Sequence, residues 1–169
     1  HGPAVFPVLT EHVVSQPVAF EVARSGDWSG DAPVCSLDYE RRFLRRKVLR
    51  TDCGAAFAVN LAQTTTINDG DALVLEHGGH IEVRAAVEPL LAVRGKALAQ
   101  LAWHIGNRHT PCQIAGDHLL IQRDPVIRHM LEHLGADITE VEAPFTPEGG
   151  AYGHGRTHSH EHGHSAHAH

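Results

Sequence analysis

The stretch from Lys96 to Phe145, "KALAQLAWHIGNRHTPCQIAGDHLLIQRDPVIRHMLEHLGADITEVEAPF", changes periodicity repeatedly, and those changes decide the fold. Ala97, Leu98, Leu101, Ala102 and Ile105 recur at helical spacing, and Gly106-Asn107 fits a C-terminal stop. "CQIAGDHLLIQ" reads as two short strands turning at Gly116-Asp117. Asp124 is placed to cap a second helix, with Pro125 at its first position and Gly135 at its end. "DITEVEAPF" closes as a strand. Just upstream, "IEVRAAVEPLLAV" (81–93) is a strand candidate ending at Arg94-Gly95. The order β-α-β-β-α-β is that of the ferredoxin-like split unit, and all six elements agree on it.

Working towards the start, the character changes to β. "PVAFEVARSG" alternates apolar and polar residues and stops at Gly26. "RRFLRRKVLRTDCGAAFAVNLAQTTTI" repeats the alternation around a turn at Asp52-Cys53-Gly54. Asn68-Asp69-Gly70 and Gly78-Gly79 bracket a further strand. About six short strands with no helical segment suit a small β-domain of two packed sheets. Working towards the end, residues after Thr146 lack core-forming side chains, and Pro147, Gly149, Gly150, Gly153 and Gly155 lead into "HGRTHSHEHGHSAHAH" (154–169). Nothing there offsets the entropy of ordering, so a flexible tail is expected. The fold class is therefore α+β: a β-domain over 1–80, a ferredoxin-like domain over 81–145 and a disordered histidine-rich tail over 146–169.

The totals narrow the function. The formal charge is −6 with histidine neutral, which draws no phosphate and argues against nucleic acid. No apolar run is long enough to span a bilayer, so no membrane partner is expected. "HGPAVFPVLT" has neither a basic region nor a long apolar stretch, so no secretory signal is read there; His1-Gly2-Pro3 is left out of the fold reasoning. Cys35, Cys53 and Cys112 are an odd count at irregular spacing, neither a disulfide framework nor a zinc knuckle, which points to the cytosol.

The chemistry lies in the sixteen histidines. Neutral imidazole suits Ni, Cu, Zn and Co, and alternating His-x-His lets several rings reach one ion without a fixed backbone. An affinity tag is usually an unbroken histidine run, whereas this tail is interspersed with Ser, Gly, Ala and Glu161. A solvated end without function is the other bland reading. In the folded part the candidate is His109 in "GNRHTPCQI" (106–114), a loop just past the first helix of the second domain. A loop histidine on a rigid scaffold is a better functional candidate than one on a helix face; alternatively its ring is simply bonded to a backbone carbonyl. His109-x-x-Cys112 has ligand-like spacing. His129 and His133 are i, i+4 on the second helix, His77 and His80 flank a turn, and His104 adjoins the signature. Solvated or structural roles are the simpler readings of these. The basic run Arg41–Arg50 reads as a solvated sheet edge.

"HIGNRHTPCQI" resembles the signature of the UreE family of urease accessory proteins, which are nickel metallochaperones. "RRFLRRKVLRTDCGAAFAVNL", "INDGDALVLEHGG", "IEVRAAVEPLL" and "APFTPEGGAYGHG" followed by histidines are similar to the rest of that family's pattern. The resemblance implies a homodimer joined through the ferredoxin-like domains. It implies that His109 from each copy faces the twofold axis and that one ion bridges them, a C2 axis turning one residue into a ligand pair. Two imidazoles leave a nickel sphere unfilled. His154 is the first tail candidate to complete it, followed by His158, His160, His162 and His164. Gln122-Arg123-Asp124-Pro125 lacks the extra histidines of some members, so no auxiliary site is expected there. The cargo implied is Ni(II), with Zn(II) or Cu(II) as competitors, and the partners are the urease accessory GTPase and the urease apoprotein complex.

Other functions compete with a nickel carrier. A general transition-metal store or buffer would act through the tail alone. An enzyme is disfavoured, since no nucleophile motif and no paired carboxylates accompany the candidate ligands. A peptide-binding role for the β-domain remains open beside the carrier function.

Overall fold

The computed structural model describes residues 16–150, and the chain divides into two compact units between Arg84 and Ala85. In the first unit the strands are β1 (Val18–Ala23), β2 (Val34–Leu37), β3 (Phe43–Arg50), β4 (Ala56–Thr66), β5 (Ala72–Leu75) and β6 (His80–Ala85). Alternation sends Phe57, Val59 and Leu61 of β4 inward, where they meet Cys35, Leu37, Leu44, Leu49, Leu73, Ile81 and Val83 in one apolar cluster. Gly54 turns β3 into β4 with φ 96°, a conformation that favours glycine.

Two packed sheets were expected from this alternation, and the structure corrects that. All six strands form a single sheet in the order β2-β6-β5-β1-β4-β3. Strand β1 lies parallel to β4 on one side and antiparallel to β5 on the other, which stitches the β3–β4 and β5–β6 hairpins into one ladder. The two ends of this order also meet. The Asp52 N–H donates to the Val34 carbonyl at 2.8 Å, the Cys35 thiol to the Arg50 carbonyl at 3.3 Å, and the Ser36 N–H to Asp52 Oδ1 at 2.9 Å. Alternation identifies inward residues but not which strand is the neighbour, so it could not separate a closed-up single sheet from two facing ones.

One buried carboxylate organises the loops at one end of this sheet. Asp71 accepts from Arg24 Nη1 at 2.7 Å, the Ser25 N–H at 2.9 Å and the Asn68 N–H at 2.8 Å, with its own side chain 2% exposed.

The second unit has β7 (Val87–Arg94), α1 (Leu98–Asn107), β8 (Gln113–Ile114), β9 (Leu119–Gln122), α2 (Pro125–His133) and β10 (Asp137–Pro144). The sheet order is β10-β7-β9-β8 with every pair antiparallel. Leu101 and Ile105 of α1 and Ile127 and Leu131 of α2 pack on Leu91, Val93, Leu119 and Ile121 of the sheet. Asp124 caps α2: its Oδ1 accepts from the Val126 N–H at 2.8 Å and the Ile127 N–H at 3.2 Å, a contribution of about 1 kcal/mol.

The unit boundary falls four residues beyond the 80/81 division drawn from sequence. "IEVRAAVEPLLAV" is not one strand. It breaks at Ala86 into β6, which pairs with β5, and β7, which pairs with β9 and β10. Among the described residues no helix is long and apolar enough to cross a membrane.

Candidate metal centre

Helix α1 ends in a motif that puts His109 in an unusual position. The His109 N–H donates to the Gly106 carbonyl at 2.9 Å, and the Thr110 N–H to the Ile105 carbonyl at 3.3 Å. This pair of bonds is the Schellman cap, and its defining residue, just past the helix, is left-handed and usually glycine. Here that residue is His109, with φ 57°, alone among the non-glycine described residues in having positive φ. A side chain with a Cβ in this region costs about 1–2 kcal/mol. Such cost is retained where the side chain itself is needed. Gly106, expected to end the helix, lies within it. His109 is exposed to solvent, and Pro111 follows two residues later.

The chain leading to the tail returns to this loop. After β10, Phe145 is fully buried. The Thr146 N–H donates to Gln113 Oε1 at 2.8 Å, and the Glu148 N–H donates to the Cys112 carbonyl at 2.8 Å. Sequence reasoning missed Gln113, Thr146 and Glu148 because no periodicity or motif announces such contacts. His154, His158, His160, His162 and His164, expected as tail ligands, lie outside the described residues.

Cys112 is half-buried. Burial pushes its thiol up to about 11, and the nearby Glu148 carboxylate adds to the rise. Burial likewise pushes Cys35 up to about 11, with Asp52 adding to it. The thiolate is the metal ligand and the nucleophile, so both sulfurs are poor donors at neutral pH. Cys53 is exposed. Brief iodoacetamide treatment of the native protein at pH 8 is expected to label Cys53 and spare Cys35 and Cys112, as read by peptide mass spectrometry. Equal labelling of Cys112 would mean that its loop opens freely.

The remaining histidines are dispersed. His129 and His133 are exposed on α2, and His77 is exposed at the β5–β6 turn. His80 stacks on Trp28 with centroids 5.5 Å apart, while Trp28 Nε1 donates to the Gly70 carbonyl at 3.0 Å. His104 meets Trp103 edge-on at 5.0 Å. His118, which the sequence did not single out, lies 2.7 Å from Asp117 through Nδ1 and holds that carboxyl below its ordinary range. Among the described residues no three His, Cys, Asp or Glu side chains gather as a metal-holding group.

Two family models match this chain. Residues 18–86 match the N-terminal domain of the UreE urease accessory protein, and residues 87–169 match its C-terminal domain. The urease accessory protein UreE of a Ruegeria species is 63% identical over 122 residues, covering 72% of this chain and 69% of that protein. That of Ruegeria pomeroyi is 57% identical over 142 residues, covering 84% and 95%. That of Cereibacter sphaeroides is 52% identical over 142 residues, covering 83% and 78%.

Proposed function

This chain belongs to the UreE urease accessory protein family, and from that premise we propose that it carries Ni(II) to the urease apoprotein in the cytoplasm, working as a homodimer with the urease accessory GTPase. Membership gives it a role in urease maturation, and the family is one of accessory chaperones rather than enzymes. The observation that carries the nickel reading is His109, an exposed imidazole held at a backbone position that favours glycine. In this reading the ferredoxin-like second unit joins two copies, so that His109 and its counterpart form a ligand pair. Trp103, 63% exposed on the helix that precedes His109, is the type of side chain enriched at such interfaces.

The tail supplies the other ligands. Glu148 is held at Cys112, three residues from His109, and His154 follows six residues after Glu148. Six residues reach about 20 Å, ample for His154 to meet His109, with His158, His160, His162 and His164 further along. An exposed site suits a carrier that must give up its ion, whereas a closed four-ligand site would retain it. Imidazole accepts Zn(II) and Cu(II) as well, so these ions compete.

The test is calorimetric nickel titration, with mass by light scattering, on the full chain and on a full-length variant whose tail histidines are all alanine. We expect dimers in both, with one tight ion per dimer that survives, weakened, without the tail rings. A store acting through the tail alone would lose all binding in the variant. Protonated imidazole cannot ligate, so affinity should fall steadily as pH drops from about 7 to 5. Full affinity retained at pH 5 would exclude imidazole ligands.

A further inference from the structure

We propose that His129 and His133 form a separate metal site on the outer face of α2, one that takes a divalent copper, nickel or zinc ion and needs nothing from His109. The two rings are four residues apart in the helix Pro125–His133. Side chains at that spacing lie one above the other, with Cβ atoms about 5–6 Å apart. Metal–nitrogen bonds of about 2.0–2.1 Å then let one ion join both imidazoles across a single turn. The same i, i+4 histidine pair on one helix face is what holds zinc in metalloprotease helices.

The packing of α2 sets this face. Ile127 and Leu131, also four residues apart, are buried against the second sheet. His129 and His133 each follow one of them by two positions, a rotation of about 200° that turns both away from the core. Both are exposed. The Asp124 cap fixes the start of the helix and the buried pair fixes its length, so the spacing of the two rings is set before an ion arrives. Local charge does not oppose a dication. Arg128 is bonded to Glu132 at 3.3 Å and to Glu140 at 3.2 Å, and Arg123 lies 3.6 Å from Glu140. Two carboxylates thus balance the two guanidinium groups nearest the pair. Among the described residues no third histidine, cysteine or carboxylate joins it as a metal-holding group. Water fills the remaining positions, and an ion held by two rings exchanges readily where a closed four-ligand site would not.

The experiment uses the full-length chain carrying His109→Gly and alanine at every histidine from 154 onward, so its outcome is independent of the nickel reading of His109. The probe is Cu(II), the tightest binder of these ions at nitrogen ligands. Added below one equivalent, it should broaden the backbone amide NMR signals of α2 before any others. Chelator competition then gives the affinity. We expect it to fall at least about tenfold in His129→Ala and equally in His133→Ala, because the second ring binds within the same molecule. Removing both should add little to removing either, the non-additivity of groups that act together. Both positions are exposed, and an unchanged far-UV circular dichroism spectrum checks that the fold is kept. A loss of only about twofold in each single variant would overturn the proposal, since that is what two independent surface imidazoles give. Broadening that starts at His77, His104 or His118 instead of α2 would overturn it as well.

Discussion

His109→Gly is expected to be more stable than His109→Ala by about 1 kcal/mol, while both lose the tightest nickel site. On an ordinary exposed helical surface the order is the reverse, since glycine costs about 1 kcal/mol relative to alanine. At φ 57° the Cβ of alanine meets the penalty of the left-handed region and glycine does not. Both variants lack the imidazole, so the comparison isolates the backbone from whatever the ring contacts. Loss of nickel affinity should be at least about 100-fold, because even outer-shell changes at metal sites cost 10–100-fold. One substitution per chain would also remove two ligands from a bridging ion. Urea unfolding and chelator competition read the two effects separately. Equal stabilities would mean that His109 is not left-handed in solution. Retention of the tight site in either variant would remove His109 from the ligand set.

Asp71→Ala should destabilise the first unit by about 3 kcal/mol, with little effect on nickel. The carboxylate satisfies two backbone N–H groups and the Arg24 guanidinium at once. Removing a buried acceptor leaves each donor with its desolvation cost, about 1–3 kcal/mol apiece. Arg24 is 28% exposed and also donates to the Thr66 carbonyl at 3.0 Å, so the guanidinium contributes the smaller share. Asp71→Asn keeps one acceptor oxygen and should lose less. Denaturant titration followed by far-UV circular dichroism measures both. A loss below about 1 kcal/mol in Asp71→Ala would show that water takes over these donors.

What could be read from the sequence follows the range of the interactions. The second unit's elements were legible because each is announced locally: the Leu101–Ile105 stripe, the Asp124-Pro125 start, the Gly116 turn. The first unit's strands were legible too, but not their arrangement. Pairing Val18 with Ala58 and Ala23 with Ala72 is a long-range choice that alternation does not record. His109 was identified through its loop position and the family signature. Its left-handed backbone was not, because Gly106-Asn107 offered the more conventional stop. The return of Thr146 and Glu148 to Gln113 and Cys112 had no sequence signal at all, being made from one amide side chain and three backbone groups.

The placement of β1 has a consequence for how the protein is made. This strand lies between β4 and β5, whose residues are synthesised long after it. While the ribosome is still translating the basic strand β3, β1 has neither neighbour, and its apolar residues must wait. β1 gains its first neighbour only when β4 has emerged and its second only with β5, so the strand made earliest among those described is incorporated late. During that interval the nascent chain exposes an unpaired strand beside a half-built ladder. The first unit, rather than the second, is therefore where co-translational folding is slow and where a general chaperone has something to hold.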